Sequence, residues 1–421
     1  MAGGTDYTQH GVMTPTPAQL QEWLGRYNVA RGALVAVSPQ TYPASLSLLN
    51  YLQYTPSERN QGSCGDCWAW AGTGVLEIAL DVQGVTKDRL SVQYLNSLYN
   101  GGSGPNWACC GGWLSGFSGF YSSQGLAVPW SNTNAAFADG GRTCASGTSV
   151  SGGSISTNPH YGITSITDQV VPTQGVGQTT AINNMKDVLN QNKAIWMAFF
   201  AANSQDGNAF FNFWNTQPET AVWDPDVYSG HTYNSTTGWG HAVLIVGYDD
   251  SDANNRYWVI LNSWGTTSSR PNGLFRMKMN INYDDNLINL GNMLYFQTLV
   301  VQFSGGPVTI TTTTTTTTGT VYSTRTTTTS TTGITTITSL TTLTTYSTAT
   351  SYYPTLTSRT TSTSTSTLPA SSTTTMVSTT TTTTNSAASV GWAELVSPLL
   401  FVIFSRLSRA RNHRKEREGV K

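Results

Sequence analysis

An α+β domain is predicted for residues 43–306 of this 421-residue chain by two kinds of periodicity in a fixed order. From Trp68, apolar residues recur at Ala71, Val75, Ile78, Ala79 and Val82, the spacing of a helix face. Gly84 then supplies a stop. Far downstream, Ala242-Val-Leu-Ile-Val246 and Tyr257-Trp-Val-Ile-Leu261 are short apolar runs that read as buried strands. Gly247-Tyr-Asp-Asp250 is the turn between them.

The third observation is a break in composition near Gly305. Residues 307–385 are nearly all Thr and Ser, with Arg325 and Arg359 as the charged residues of the Thr-rich run. That composition cannot build a core and reads as an extended stalk, glycosylated or plain. Residues 386–405 are about long enough to cross a bilayer, which takes roughly 20 residues. Glu394 and Pro398 weaken that reading. Arg406, Arg409, Arg411, Arg414, Lys415 and Arg417 in the tail 406–421 strengthen it, because basic residues collect on the cytoplasmic side. An amphipathic surface helix or a removable sorting signal are the other readings. Residues 1–42 show no basic start followed by an apolar core, so no signal peptide is visible. Within them, Leu20, Trp23, Leu24 and Tyr27 share one face of a short helix.

Net charge is −1 and only 10% of residues are charged. Nucleic acid is therefore not an expected partner. The chain has five cysteines: Cys64, Cys67, Cys109, Cys110 and Cys144. An odd count suits two bridges plus one reactive thiol in an oxidising compartment. A zinc site from Cys64, Cys67, Cys109 and Cys110 is the rival. Adjacent cysteines wrap one tetrahedral ion poorly, so no metal and no cofactor are expected.

The chemistry is concentrated in three short motifs. Asn60-Gln-Gly-Ser-Cys-Gly-Asp-Cys-Trp68 places Cys67 at the start of the predicted helix, where the helix dipole favours a thiolate. His241 opens the first strand run. Asn262 ends the second, followed by Ser263-Trp264-Gly265. Of the other histidines, His231 lies in what reads as an exposed turn. His10, His160 and His413 lack the strand and glycine context.

In content and order these motifs resemble the papain-type cysteine peptidases. The resemblance spans about Tyr42 to Phe303 and is strongest at the motifs themselves. It implies a fold of two lobes, one helical and one an antiparallel β-barrel-like sheet, with a cleft between. It implies Cys67 as nucleophile, His241 as general base and acid, and Asn262 as the group orienting the imidazole. Trp264 shields that contact, and Gln61 supplies the oxyanion hole with the Cys67 N–H. Gly111 and Gly112 would pair with the main chain of a peptide substrate. Cys64–Cys109 is the bridge the family pattern implies. Leu98 stands where the family's second bridge begins, so Cys110–Cys144 is expected as a relocated one.

Three departures stand out. Asp66 replaces the usual small residue before the nucleophile, either shifting the activity optimum or facing solvent. No inhibitory-segment motif is evident in residues 1–42, which are a pro-segment remnant or a packed arm. Cys67 and His241 are further apart than the roughly 130–150 residues usual in the family, so loops are added. The added stretch 201–239 carries Phe210, Phe211, Phe213, Trp214 and Trp223, as cleft wall or ordinary packing, and the glycosylation sequon at Asn234. The expected function is extracellular peptide hydrolysis through a thioester. The alternatives are a transpeptidase on the same site and a non-catalytic surface adhesion module. The stalk and anchor resemble archaeal surface proteins.

Overall fold

A computed structural model describes residues 10–36 and 40–308. The Thr-rich stretch, the apolar segment 386–405 and the basic tail lie outside the described residues. Among the described residues, no helix is long and apolar enough to cross a membrane.

The helices are α1 (Pro17–Val29), α2 (Cys67–Val82), α3 (Val92–Leu98), α4 (Leu114–Gln124), α5 (Gln178–Asn190) and α6 (Ser204–Thr216). The strands are β1 (Ser45–Ser47), β2 (Leu126–Ala127), β3 (Tyr161–Val170), β4 (Ile195–Ala201), β5 (Val222–Trp223), β6 (Trp239–Asp249), β7 (Tyr257–Leu261), β8 (Leu274–Lys278), β9 (Asn286–Leu287), β10 (Gly291–Asn292) and β11 (Leu294–Phe303). The predicted helix and second strand sit where their periodicity put them. The first strand begins two residues before His241, because Phe200 and Ala201 of β4 pair with Gly240 and Trp239.

The barrel-like closure expected of the sheet lobe is not formed. Strand order is β2-β3-β11-β4-β6-β7-β8-β5, an open sheet with β2 and β5 at its ends and β1 added to β6. One pairing, β5 with β8, is parallel. The physical reason is that the strands at the two ends, β2 and β5, are two residues each, too short to pair with one another across a closure. Leu126 and Ala127 pair with the start of β3, while Ala33 N donates to Val170 O at 2.7 Å at its end. At the other end β5 covers β8 with two residues.

Helix α2 is the hub. It is buried on nearly every face, as expected of a helix packed between a sheet and other helices. Its close approach to β6 depends on Gly74, where a Cβ would lie 2.5 Å from Leu244 Cδ2. Midway along it, Glu77 is 3% exposed and Arg59, 4% exposed, faces it at 3.7 Å. Arg59 also donates to Trp70 O at 2.7 Å, and Glu77 accepts from Leu90 N at 2.8 Å. The pair thus ties α2 to the segments before and after it. Burial still pushes the Glu77 carboxyl up to about 7, against the opposing pull of Arg59. Arg59→Met strands that carboxylate and is expected to cost about 3–5 kcal/mol in urea unfolding at neutral pH. The double variant Arg59→Met/Glu77→Gln should regain most of the loss.

Candidate active site

Two elements carry Cys67 and His241, the candidate nucleophile and base. Cys67 is the first residue of α2, and its Sγ accepts a hydrogen bond from Ala242 N at 3.3 Å. Ala242 follows His241 in β6, so the sulfur lies against the histidine's own peptide. Neighbouring β7 delivers Asn262 at its C-terminal end. The His241 Nε2 lies 2.8 Å from Asn262 Oδ1, which also accepts from Ser263 N at 2.8 Å. Two donors on one amide atom identify it as the oxygen. Nε2 therefore carries the hydrogen, and the Nδ1 lone pair has no hydrogen-bond partner. Trp264 packs on the imidazole with ring centroids 4.3 Å apart. Beneath Trp264, Phe210, Phe211 and Trp214 form a buried aromatic bed. Phe213 and Trp223 pack on Phe275. The aromatic-rich insertion thus supports the histidine side of the site by packing.

Gln61 is fully buried. Its Oε1 accepts from Ser263 Oγ at 2.6 Å, which fixes the side chain to the Asn262 loop. Its Nε2 donates to Cys64 O at 2.6 Å and to Gly11 O at 2.9 Å. Disulfides join Cys64 to Cys109 and Cys110 to Cys144, leaving Cys67 as the free cysteine. With four sulfurs bridged, the zinc alternative has no ligand set. No metal-binding cluster is found among the described residues.

What the sequence did not disclose is residues 10–14. They form a strap through the site. Gly11 N donates to Gly62 O at 2.6 Å, and Met13 exchanges two 2.8 Å hydrogen bonds with Gly240. His10 stacks on Trp264 at 4.6 Å. The strap then enters α1, started by a capping box between Thr16 and Gln19. The face predicted from Leu20, Trp23 and Tyr27 is buried, with Trp23 stacked on Trp113 and Leu24 partly exposed. Gly111, at φ +100°, lies against Met13 and Trp23, while Gly112 backs onto the Trp68 ring. The edge expected to receive substrate is therefore occupied by this chain. No motif marks the strap. Gly11 is its one legible signal, since a Cβ there would sit 2.0 Å from Cys64 O.

Burial under the strap governs the electrostatics. Cys67 and His241 are both 0% exposed. Desolvation pushes the Cys67 thiol up to about 12, against the pull of the Ala242 N–H. It drives the His241 imidazole down to about 3, only partly offset by Asn262. Both shifts favour the neutral thiol and the neutral imidazole. His231, the other candidate base, is half exposed and pairs with Asp206 at 2.9 Å.

Sequence comparison shows the family. The papain family cysteine protease profile matches residues 51–298. Cathepsin B-like CP2 of Giardia intestinalis is 28% identical over 240 residues, 55% of this chain and 67% of that protein. Senescence-specific cysteine protease SAG12 of Arabidopsis thaliana is 28% identical over 278 residues, 65% and 64% of the two chains. The chain thus spans about two thirds of the length of these relatives. The bromelain protease of Ananas comosus aligns in structure at 22% identity and TM-score 0.41, over 61% of this chain and 97% of that one. The family profile runs from before α2 to beyond β8 and covers more than half of the chain, so the chain belongs to the papain family of cysteine proteases.

Proposed function

We propose that the chain is an endopeptidase that hydrolyses peptide bonds through a thioester on Cys67. The observation that carries this is the His241 tautomer. Asn262 takes the Nε2 hydrogen, and Nδ1 is left as a lone pair in the helix–strand junction that holds Cys67. In the open state Nδ1 takes the thiol proton, and Sγ attacks the scissile carbonyl. Imidazolium then protonates the leaving amine, and neutral His241 later activates water. Gln61 Nε2 and the Cys67 N–H stabilise the oxyanion. Gly111 and Gly112 offer main chain to an extended substrate, and no cofactor enters the reaction.

In this reading, residues 1–42 precede a peptidase domain of residues 43–306 and act as its cover. Support comes from the strap, which occupies the Gln61 donor and the Gly111 face. The Thr-rich run 307–385, the apolar segment 386–405 and the basic tail 406–421 support a glycosylated stalk, a membrane anchor and a cytoplasmic end. Peptide hydrolysis at a cell surface, with an archaeal envelope as the setting, follows from them. The exposed Asn234 sequon suits a glycoprotein.

An epoxide-type cysteine-peptidase inactivator should label Cys67 and no other residue, and Cys67→Ala should abolish both labelling and turnover. Labelling elsewhere, or turnover by Cys67→Ala, refutes the nucleophile. Gln61→Ala should lower kcat by on the order of 100-fold. Gly11→Val cannot seat the strap and should raise the Cys67 labelling rate several-fold. An unchanged rate would remove residues 10–14 from the role of cover.

Acid should open the strap. His241 and His10 are both held below their ordinary 6.5 by burial. Opening returns them to water and takes up protons, so the open fraction grows as pH falls below that value. Protection of the Met13 amide against hydrogen exchange, corrected for intrinsic rate, should fall over this range. His10→Phe should flatten the dependence.

A further inference from the structure

Asp66 stands immediately before the nucleophile, at the N-cap of α2. An ionised aspartate there ordinarily accepts from the first-turn N–H groups. Asp66 makes no such capping bond. Its carboxyl is fully buried and turns toward α3, where Asn96 Nδ2 donates to Oδ2 at 2.8 Å. Its Oδ1 has no hydrogen-bond partner, nor has Asn96 Oδ1. The groups facing it are Cys67 and Trp70 on α2, Asn96 on α3, the neighbouring Cys64 sulfur, and Asp139. None is a cation.

Asp139 shares the same amide, with Asn96 Nδ2 3.4 Å from its Oδ2. Its surroundings are the opposite of those of Asp66. It accepts from Gln93 Nε2 at 2.8 Å, Thr148 Oγ1 at 3.0 Å and Ser149 N at 2.8 Å. Two carboxyl groups flanking one amide in a dry site cannot both ionise cheaply, and their environments separate their roles. The donors surround Asp139. Around Asp66 the side-chain donors are only Asn96 Nδ2 and the Trp70 indole N–H, with no cation to balance a second buried charge. Burial, with Asp139 adding to it, holds the Asp66 carboxyl well above the usual carboxylate range.

We propose that Asp66 is a positioning residue that works as a neutral carboxylic acid, and that loss of its proton sets the upper pH limit of catalysis. As an anion it would place negative charge beside the Cys67 sulfur and at the positive end of α2, the two places where charge most opposes a thiolate. A proton on Asp66 thereby licenses the nucleophile, and the enzyme is restricted to the acid side of its range. The inference rests on Cys67 being the nucleophile.

The test compares full-length wild type with Asp66→Asn, which keeps the shape and is neutral at every pH. Two rates are followed from acid to alkaline pH: alkylation of Cys67 by a small haloacetamide, read by mass spectrometry, and hydrolysis of a fluorogenic peptide. The variant-to-wild-type ratio at each pH cancels any pH dependence of the strap. The ratio should be near one in acid and rise to about tenfold or more at the alkaline end, the effect of removing a like charge at close range. Infrared difference spectra should show a protonated carboxyl band in the neutral wild type that the variant lacks. A ratio flat with pH, or absence of the band, overturns the proposal. If Asp66→Asn does not fold, the wild-type-minus-Asp66→Ser difference band, in which the Glu77 carboxyl cancels, decides the same question. If Cys67→Ala still turns over substrate, the nucleophile reading has failed, and the infrared band continues to report on Asp66 alone.

Discussion

The hydrogen bond from Ala242 N to Cys67 Sγ, at 3.3 Å, marks the junction on which the site depends. It is where the N-terminus of α2 meets the middle of the sheet. The residue before Ala242 is the proposed base, and the strand beyond carries Asn262, proposed to orient it. Everything that fixes α2 on β6 therefore also fixes nucleophile against base. Gly74 permits the approach to Leu244, the Arg59–Glu77 pair anchors the helix midpoint, and the Cys64–Cys109 bridge ties the residues before Cys67 to the Gly111 turn. Packing and chemistry share these contacts, so precision at the site comes from the hub of the fold.

Burial is double-edged at such a junction. A thiolate–imidazolium pair needs enough water or dipole to hold two charges, whereas a dry junction favours thiol and imidazole. With residues 10–14 in place the site is at the dry limit. The strap thus does more than obstruct: it removes the dielectric that the ion pair needs. In the proposed role of the strap as a cover, steric exclusion and electrostatic silencing would be one event, because both follow from excluding solvent at Cys67 and His241.

The candidate site residues were easier to pick out in the sequence than the sheet topology around them. Gln61, Cys67, His241 and Asn262 sit in short motifs whose residue types are dictated by chemistry, and each motif carries its own local geometry: helix start, strand, strand end. Sheet closure is different. Whether the edges join depends on what covers β3 and β8, and those covers are two-residue strands and the stretch 31–33, too short for a periodic signal. The strap was hidden for a related reason. Its hold is through main-chain hydrogen bonds at Gly11 and Met13, and main-chain pairing leaves almost no trace in side-chain identity. Asp66 was visible as an oddity, but the sequence could not say whether it met water or Asn96. That depended on α3 and on Asp139, distant in the chain.

The same point explains how the strap can fit a cleft built for other chains. Extended peptides of any sequence share one thing, their backbone donors and acceptors, and a cleft that reads them is tolerant of side chains. Gly11 and Met13 use that tolerance: Gly62, Gly240 and the Gln61 amide meet their main chain, while Gly111 lets Met13 and Trp23 lie close. Beyond the buried Met13 side chain, packed on Gly111 and Gly240, side chains enter at the two ends. His10 lies on the Trp264 face, and α1 packs Trp23 and Tyr27 against Trp113. The strap is therefore a weakly specified central segment held between two well-packed anchors. A competing peptide need displace only main-chain pairs it can itself replace, provided one anchor gives way. His10 is the anchor with a titratable ring held neutral by burial, so release begins most readily at the Trp264 end.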